Sequence, residues 1–269
     1  MLIPLLIFLL SLGHFAGASD IDYDIQGNLY VVDRLGNAIV KYSPAGDSIR
    51  AVSGFGSGNE QFDTPVALYA RRGNDIYVAD YNNNRIQRFN RTLDYITTIY
   101  TRDNQDERKR FGYPRDIAIS RQGELLVVDG ENRRIVRINA AGQGVGSFGD
   151  INAGAGRLLD PSSIEVDDED NIYVLDRGRI VEFDPFGSFM REIPHRPAGR
   201  DIAISIDRDT LTVIDSTEAN LYDLKTLSVA GIYRLAAPAA ALRLTGGRML
   251  AVEGRRIAIY EMESTEDGR

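Results

Sequence analysis

Three aspartates, Asp20, Asp116 and Asp201, are the sharpest candidates for chemistry, because each opens a short apolar strand at the same point of a repeated phrase. Three carboxylates brought together could hold a hard divalent cation such as Ca²⁺, which takes oxygen ligands. The competing reading binds no cofactor. Each aspartate then bonds nearby backbone N–H groups or an arginine neighbour, as in Arg115-Asp116 and Arg200-Asp201. A second set suits ligand contact. Tyr81, Asn83, Arg85, Arg115, Arg133, Arg177 and Arg200 fall in or beside loops, and arginine and tyrosine are frequent interface anchors.

Other chemistry is poorly supplied. The chain has no Cys and only two His, His14 and His195. Thiol catalysis is therefore excluded, a three-His metal site cannot form within one chain, and a Ser-His-Asp triad has little support. His195, in Pro194-His-Arg-Pro197, reads as a loop residue. A net charge of −8 with a pI near 4.9 argues against general nucleic-acid binding, which calls for a basic footprint. The one basic stretch, Arg102 with Arg108-Lys109-Arg110 and Arg115, is interleaved with Asp103, Asp106 and Glu107. It reads as a solvated mixed-charge loop.

What must position these residues is a repeat. An apolar run ending in an acid recurs as Leu29–Asp33, Ile76–Asp80, Leu125–Asp129 and Ile172–Asp176, and more weakly as Leu211–Asp215 and Met249–Glu253. The acids at 33, 80, 129, 176, 215 and 253 are spaced 47, 49, 47, 39 and 38 residues apart. A period of this size, filled with β-type residues, means one small sheet repeated. Pro65, Pro114, Pro161 and Pro238 each stand 15 residues before their acid, where a residue without an N–H suits the start of a strand. Turns such as Gln26-Gly27-Asn28 and Gln122-Gly123 tolerate positive φ and join strand one to strand two. After the acid come an aliphatic and, three residues on, a second large apolar residue, as in Ile39 and Tyr42 or Ile86 and Phe89. A fourth strand completes a four-stranded antiparallel meander. Such sheets cannot bury both faces alone, and a radial ring solves that problem. The expected fold is all-β, a six-bladed β-propeller. Equivalent acids in every unit point to architecture: an Asp at a strand end can accept N–H bonds from the loop that follows or pair with Arg85, Arg134, Arg179 or Arg256.

The units resemble the NHL repeat. The likeness is clearest from Pro65 through Phe89, with Asp75-Ile-Tyr-Val-Ala-Asp80, Asn82-Asn-Asn-Arg85-Ile86 and Phe89, and from Pro114 through Ile138. It spans nearly all of residues 20–262, with the last two units degenerate. The resemblance implies the propeller fold; it implies no single activity, because propellers host unrelated functions.

Residues 2–10 are apolar apart from Pro4, and Ala16-Gly-Ala18 follows. This pattern reads as a signal peptide cut after Ala18, leaving residues 19–269 as one propeller in a secreted or periplasmic protein. The run is short for a stable membrane span. The alternative is structural: the sixth unit ends after its third strand near Met262, so residues 3–12 could supply its outer strand. Without them that blade has three strands. Long, uneven loops such as 54–64, 101–113, 149–160 and 194–199 crown one face, where binding sites concentrate. The expected function is a non-catalytic binding scaffold for a protein, peptide or saccharide. The rival is a divalent-metal-dependent hydrolase or lactonase using the aspartate ring.

Overall fold

The computed structural model describes residues 6–195, 203–215 and 217–262 of the 269-residue chain. A first strand, β1 (Leu6–Leu12), precedes blade one: β2 (Ala18–Tyr23), β3 (Leu29–Asp33), β4 (Ala38–Tyr42) and β5 (Ser48–Ser53). Blade two holds β6 (Pro65–Tyr69), β7 (Asp75–Asp80), β8 (Arg85–Asn90) and β9 (Tyr95–Ile99). Blade three holds β10 (Pro114–Ile119), β11 (Leu125–Asp129), β12 (Arg134–Ile138) and β13 (Gly144–Phe148). Blade four holds β14 (Pro161–Val166), β15 (Ile172–Asp176), β16 (Arg179–Phe183) and β17 (Phe189–Ile193). Blade five holds β18 (Ala203–Asp207), β19 (Thr210–Ile214), β20 (Glu218–Asp223) and β21 (Val229–Arg234). Blade six is β22 (Ala239–Thr245), β23 (Arg248–Glu253) and β24 (Arg256–Met262), with β1 as its outer strand.

These are six four-stranded antiparallel sheets. Their innermost strands touch in cyclic order β2, β6, β10, β14, β18, β22 and back to β2. The apolar core lies between the sheets. One cluster joins Leu126, Val128 and Phe148 of blade three to Ile164, Val174 and Phe183 of blade four, and comparable clusters fill the other junctions around the ring. This explains the strand composition. A second strand such as β3 is covered on both faces and every residue is buried, so it reads as a continuous apolar run. An outer strand such as β5 is exposed at all but one position, and its sequence mixes Ser48, Arg50 and Ser53 with the exposed Ile49.

The sixth blade is closed by β1, paired antiparallel to β24 from Leu6↔Met262 to Leu12↔Ile257. The blade therefore has four strands where three were expected once residues 1–18 are set aside. The register shifts between Phe8 and Leu10, and Ile7, Phe8, Leu9 and Leu10 are all exposed. An outer strand packs little on either face, so it lacks the alternation that would have revealed it. Residues 15–18 also follow the repeat. Phe15 occupies the place of Phe62, Phe111 and Leu158, buried three residues before the first strand's opening residue.

The repeat-end acids are architectural, with the expected bonds to the following loop and a further set to the loop before the blade. Asp33 accepts the N–H groups of Ala16 and Gly17, Asp80 that of Asp63, Asp129 that of Gly112, and Asp176 those of Leu159 and Asp160. These four acids thus hold the loop leading into their blade. Asp33 and Asp129 also hold the loop after it, through the N–H groups of Gly36 and Asn132, while Asp215 accepts from Thr217 and Glu218 in the loop that follows. Three pair with the expected arginines: Asp80–Arg85 at 2.8 Å, Asp129–Arg134 at 3.0 Å and Asp176–Arg179 at 2.7 Å. Glu253 instead accepts from the Tyr260 hydroxyl.

Candidate functional site

Five of the six first strands carry a register shift just after their opening residue. It falls between Ala18 and Asp20, Pro65 and Ala67, Pro114 and Ile117, Pro161 and Ser163, and Ala239 and Leu242. A bulge re-aims a side chain, and here it lies beside Asp20, Asp116 and Ser163. The Asp20 carboxylate accepts the N–H of Ile21 at 2.8 Å and of Leu68, in the next blade, at 2.9 Å. Asp116 repeats the pattern with Ile117 at 2.8 Å and Ile164 of blade four at 2.9 Å. These two aspartates latch neighbouring blades together. Among the described residues no group of three or more His, Cys, Asp or Glu is placed to hold a metal. Asp201 lies outside the described residues.

Below this level the channel is filled with charge. Arg243 of blade six reaches Asp20 at 3.3 Å and Glu165 at 3.5 Å. Arg71, just past β6, reaches Asp22 at 3.2 Å and Glu165 at 2.9 Å, and its guanidinium lies 5.1 Å from the Tyr69 ring centroid. Four carboxylates (Asp20, Asp22, Asp116, Glu165) face two guanidinium groups, all nearly or fully buried. Burial disfavours the charge on Arg71, but Asp22 and Glu165 outweigh it and hold the group protonated. Burial and the acid excess together raise the carboxyls at the mouth. Burial pushes Asp20 up to about 6, against the pull of Arg243 and the Leu68 N–H. Burial, and then the charge of Asp20, push Asp116 up to about 7, against Arg243.

A cavity of about 80 Å³ at the channel mouth is lined by Asp20, Asp116, Ser163, Ala67, Arg115 and Arg243, among others. It shares Ser19, Val66 and Ala240 with a groove of about 420 Å³ running over blade one past Arg34 and Leu35. At the far mouth, where the inner strands end, Tyr23, Tyr69, Arg71, Asp167 and Asp207 line a cavity of about 190 Å³.

On the loop-rich face a second constellation spans blades two to four. Tyr81 and Tyr113 lie 5.2 Å apart by ring centroids, and Tyr113 is 39% exposed. The Arg102 guanidinium is 5.8 Å from the Tyr113 centroid and pairs with Glu131 at 2.8 Å. Arg115 runs across Gly130, where an added Cβ would come within 2.8 Å of its Nε, and reaches Asp160 at 2.5 Å. The turn containing Gly130 also carries Arg133, while Asp160 donates its N–H to Asp176, the residue before Arg177. Arg115 above all, then Arg133 and Arg177, hold the Asp160 carboxyl below the usual carboxylate range. Arg133 and Arg177 have φ of 56° and 55°, a left-handed conformation; Arg133 stands where blades one and two have Asn37 and Asn84, while Arg177 opens the shorter Arg177-Gly178 turn. Arginine there costs roughly 1–2 kcal/mol relative to a right-handed residue.

The loop residues singled out by sequence divide accordingly. Tyr81, Arg115, Arg133 and Arg177 belong to this face. Arg85 does not: it is buried, and its guanidinium serves Asp80 and the carbonyls of Ser57, Gly58 and Gln61. Asn83 donates to Gly56 O and Asp80, so it too organises the 54–64 loop. Arg200 lies outside the described residues. His195 is half-buried after β17. The basic loop is internally paired, Arg108 with Asp106 and Arg110 with Glu107. Sequence reading missed Arg71, Arg243, Asp22, Glu165, Tyr113 and Asp160. A charge inside an apolar strand, such as Glu165 in Ile164-Glu-Val166, was the available signal.

Residues 62–89 match the NHL repeat model. No curated protein matches the chain. Among solved structures, virginiamycin B lyase from Staphylococcus aureus superposes with a TM-score of 0.65 at 15% identity, covering 94% of this chain and 99% of that one. A catalytically inactive histidine-to-alanine variant of that lyase with quinupristin gives 0.65 at 18% identity, covering 91% and 80%. XC5397 from Xanthomonas campestris, a gluconolactonase, gives 0.72 at 13% identity, covering 94% and 88%. At these identities the likeness is one of fold.

Proposed function

We propose that this NHL-repeat propeller is a binding scaffold that takes a protein, peptide or saccharide ligand on its loop-rich face. The observation that carries the reading is the Tyr81–Tyr113 pair, its rings in contact at a 42° tilt beside Arg115, Arg133 and Arg177, held on a rigid ring. Large rigid aromatics and arginines of this kind dominate interface energetics. The channel supports it too. Its centre is occupied by guanidinium–carboxylate pairs, and the mouth aspartates are engaged with backbone N–H groups that tie blade to blade. The test is to probe glycan and peptide arrays with the full chain. Binding should fall about tenfold or more in Tyr113→Ala and be unchanged in Arg50→Ala, whose side chain pairs with Asp94 away from this face. Equal binding by both variants, or none by the wild type, refutes the reading.

One observation favours a second reading, a propeller hydrolase or lactonase using a divalent ion. Asp116 lines a cavity and titrates at about 7, as a general acid or base at neutral pH would. The solved relatives include a lyase that one histidine replacement inactivates. Here His14 and His195 are not among the residues lining the mouth cavity or its groove. Lactone hydrolysis that requires Ca²⁺ and disappears in Asp116→Asn would establish this second reading over the first.

A further inference from the structure

Asp160 sits in a place a ligand would want. The same Nη1 of Arg115 donates to the Asp160 carboxylate at 2.5 Å and to the backbone carbonyl of Pro161 at 3.1 Å. The guanidinium therefore reads a carboxylate and the next carbonyl along an extended chain, which is a peptide pattern. The carboxylate is 54% exposed and can swing away, whereas Pro161 is fixed in β14 by pairing with Asp176. Gly130 leaves the room that lets Arg115 lie across the loop. Arg133 and Arg177 are both exposed, on the turns to either side of Asp160. Tyr113, whose carbonyl accepts from Gly130 N–H, sets the aromatic pair against the same turn.

We propose that this surface is an acidic-peptide site and that Asp160 is its internal occupant: an incoming Asp or Glu side chain displaces Asp160 from Arg115, with Arg133 and Arg177 meeting further carboxylates and Tyr81 and Tyr113 flooring the peptide. This rests on the binding reading above and names its ligand class. The chain's net charge of −8 sharpens the choice. A uniformly charged polyanion is repelled by most of the surface, while a short peptide with a few carboxylates is drawn to the local excess of arginine.

The probe is a fluorescein-labelled octapeptide of alternating Asp and Gly, followed by anisotropy with the full-length chain. An Asn-Gly octapeptide, oligouridylate and oligogalacturonate serve as comparison probes. The acidic peptide should bind, and affinity should fall as salt rises from roughly 50 to 200 mM. Arg115→Ala and Arg133→Ala should each weaken binding about tenfold. Asp160→Asn should tighten it about fivefold or more, because the internal competitor is gone. Asp160→Ser is the second variant, and retained melting temperatures show that both fold. A merely structural Asp160 would give no gain. An unchanged or weaker Asp160→Asn, equal binding of oligouridylate or oligogalacturonate, or no binding of the acidic peptide overturns the proposal. If the arrays still show binding sensitive to Tyr113→Ala, the ligand class alone has failed. If they show none, the binding reading has failed with it.

Discussion

Replacing Asp116 by Asn should change stability in a strongly pH-dependent way. Asp116 is buried, and its carboxyl titrates at about 7 in the folded protein against an ordinary value of 3.8. The folded state therefore holds this proton more tightly than the unfolded state does. Stability is highest below the unfolded value, declines as pH rises from about 4, and has lost this contribution fully above about 7. A tenfold change in proton affinity is worth about 1.4 kcal/mol, so the ionised carboxylate costs roughly 4 kcal/mol at pH 8 and less than about 2 at pH 5. Asn removes that cost at both pH values. It also has one acceptor oxygen for two backbone donors, Ile117 and Ile164, so its amide nitrogen must oppose an N–H. That loss is about 1–3 kcal/mol and independent of pH. Urea unfolding of wild type and variant should thus give a ΔΔG about 2–3 kcal/mol more favourable to Asn at pH 8 than at pH 5. The same ΔΔG at both pH values would refute the account of a strained, uncompensated acid in the channel.

Arg243→Met should be among the most damaging single changes. It strands Asp20 and weakens the Glu165 pairing in a site only 5% exposed, and breaking a buried pair costs about 3–5 kcal/mol in denaturant unfolding. Phe15→Ala should cost about 3–4 kcal/mol, since Phe15 packs among Tyr42, Ala18 and Ile257. A chain begun at Ser19 should be less stable still. It loses β1 and the Ala16 and Gly17 N–H groups that Asp33 holds. Sequencing the amino terminus of the native protein shows whether these residues are retained; a chain from Ser19 that melts like the full chain would remove their role. Millimolar Ca²⁺ should leave the melting temperature unchanged, because Asp20 and Asp116 are committed to backbone donors. A rise that Asp116→Asn abolishes would reinstate the metal reading.

The ring was legible because each blade repeats the same solution. Pro65, Pro114 and Pro161 each pair with the acid 15 residues on, so the spacing seen in sequence is a hairpin register. The alignment of Asp20 with Asp116 was legible for the same reason. Their use was not: the partners Leu68 and Ile164 belong to the next blade, some 48 residues away, and donate through backbone atoms that carry no sequence signal. The channel plug was hidden more deeply. Arg71 meets Glu165 across the axis from a position after its strand, and nothing in a linear pattern shows which side chains turn inward there. Arg85 misled in the opposite sense. A loop arginine looks available until the 54–64 segment folds over it and engages its guanidinium.

The pairing of β1 with β24 has a consequence for the chain as it is made. β1 leaves the ribosome about 245 residues ahead of its partner, since Leu12 pairs with Ile257 (257 − 12). At roughly 5–20 residues per second, the apolar stretch Leu6–Leu12 waits on the order of ten seconds or longer without its mate. Five sheets can form in that interval while the circle stays open. Until β24 arrives, the backbone N–H and C=O groups of β1 lack their ladder, and the nascent protein must keep that open edge from wrong company.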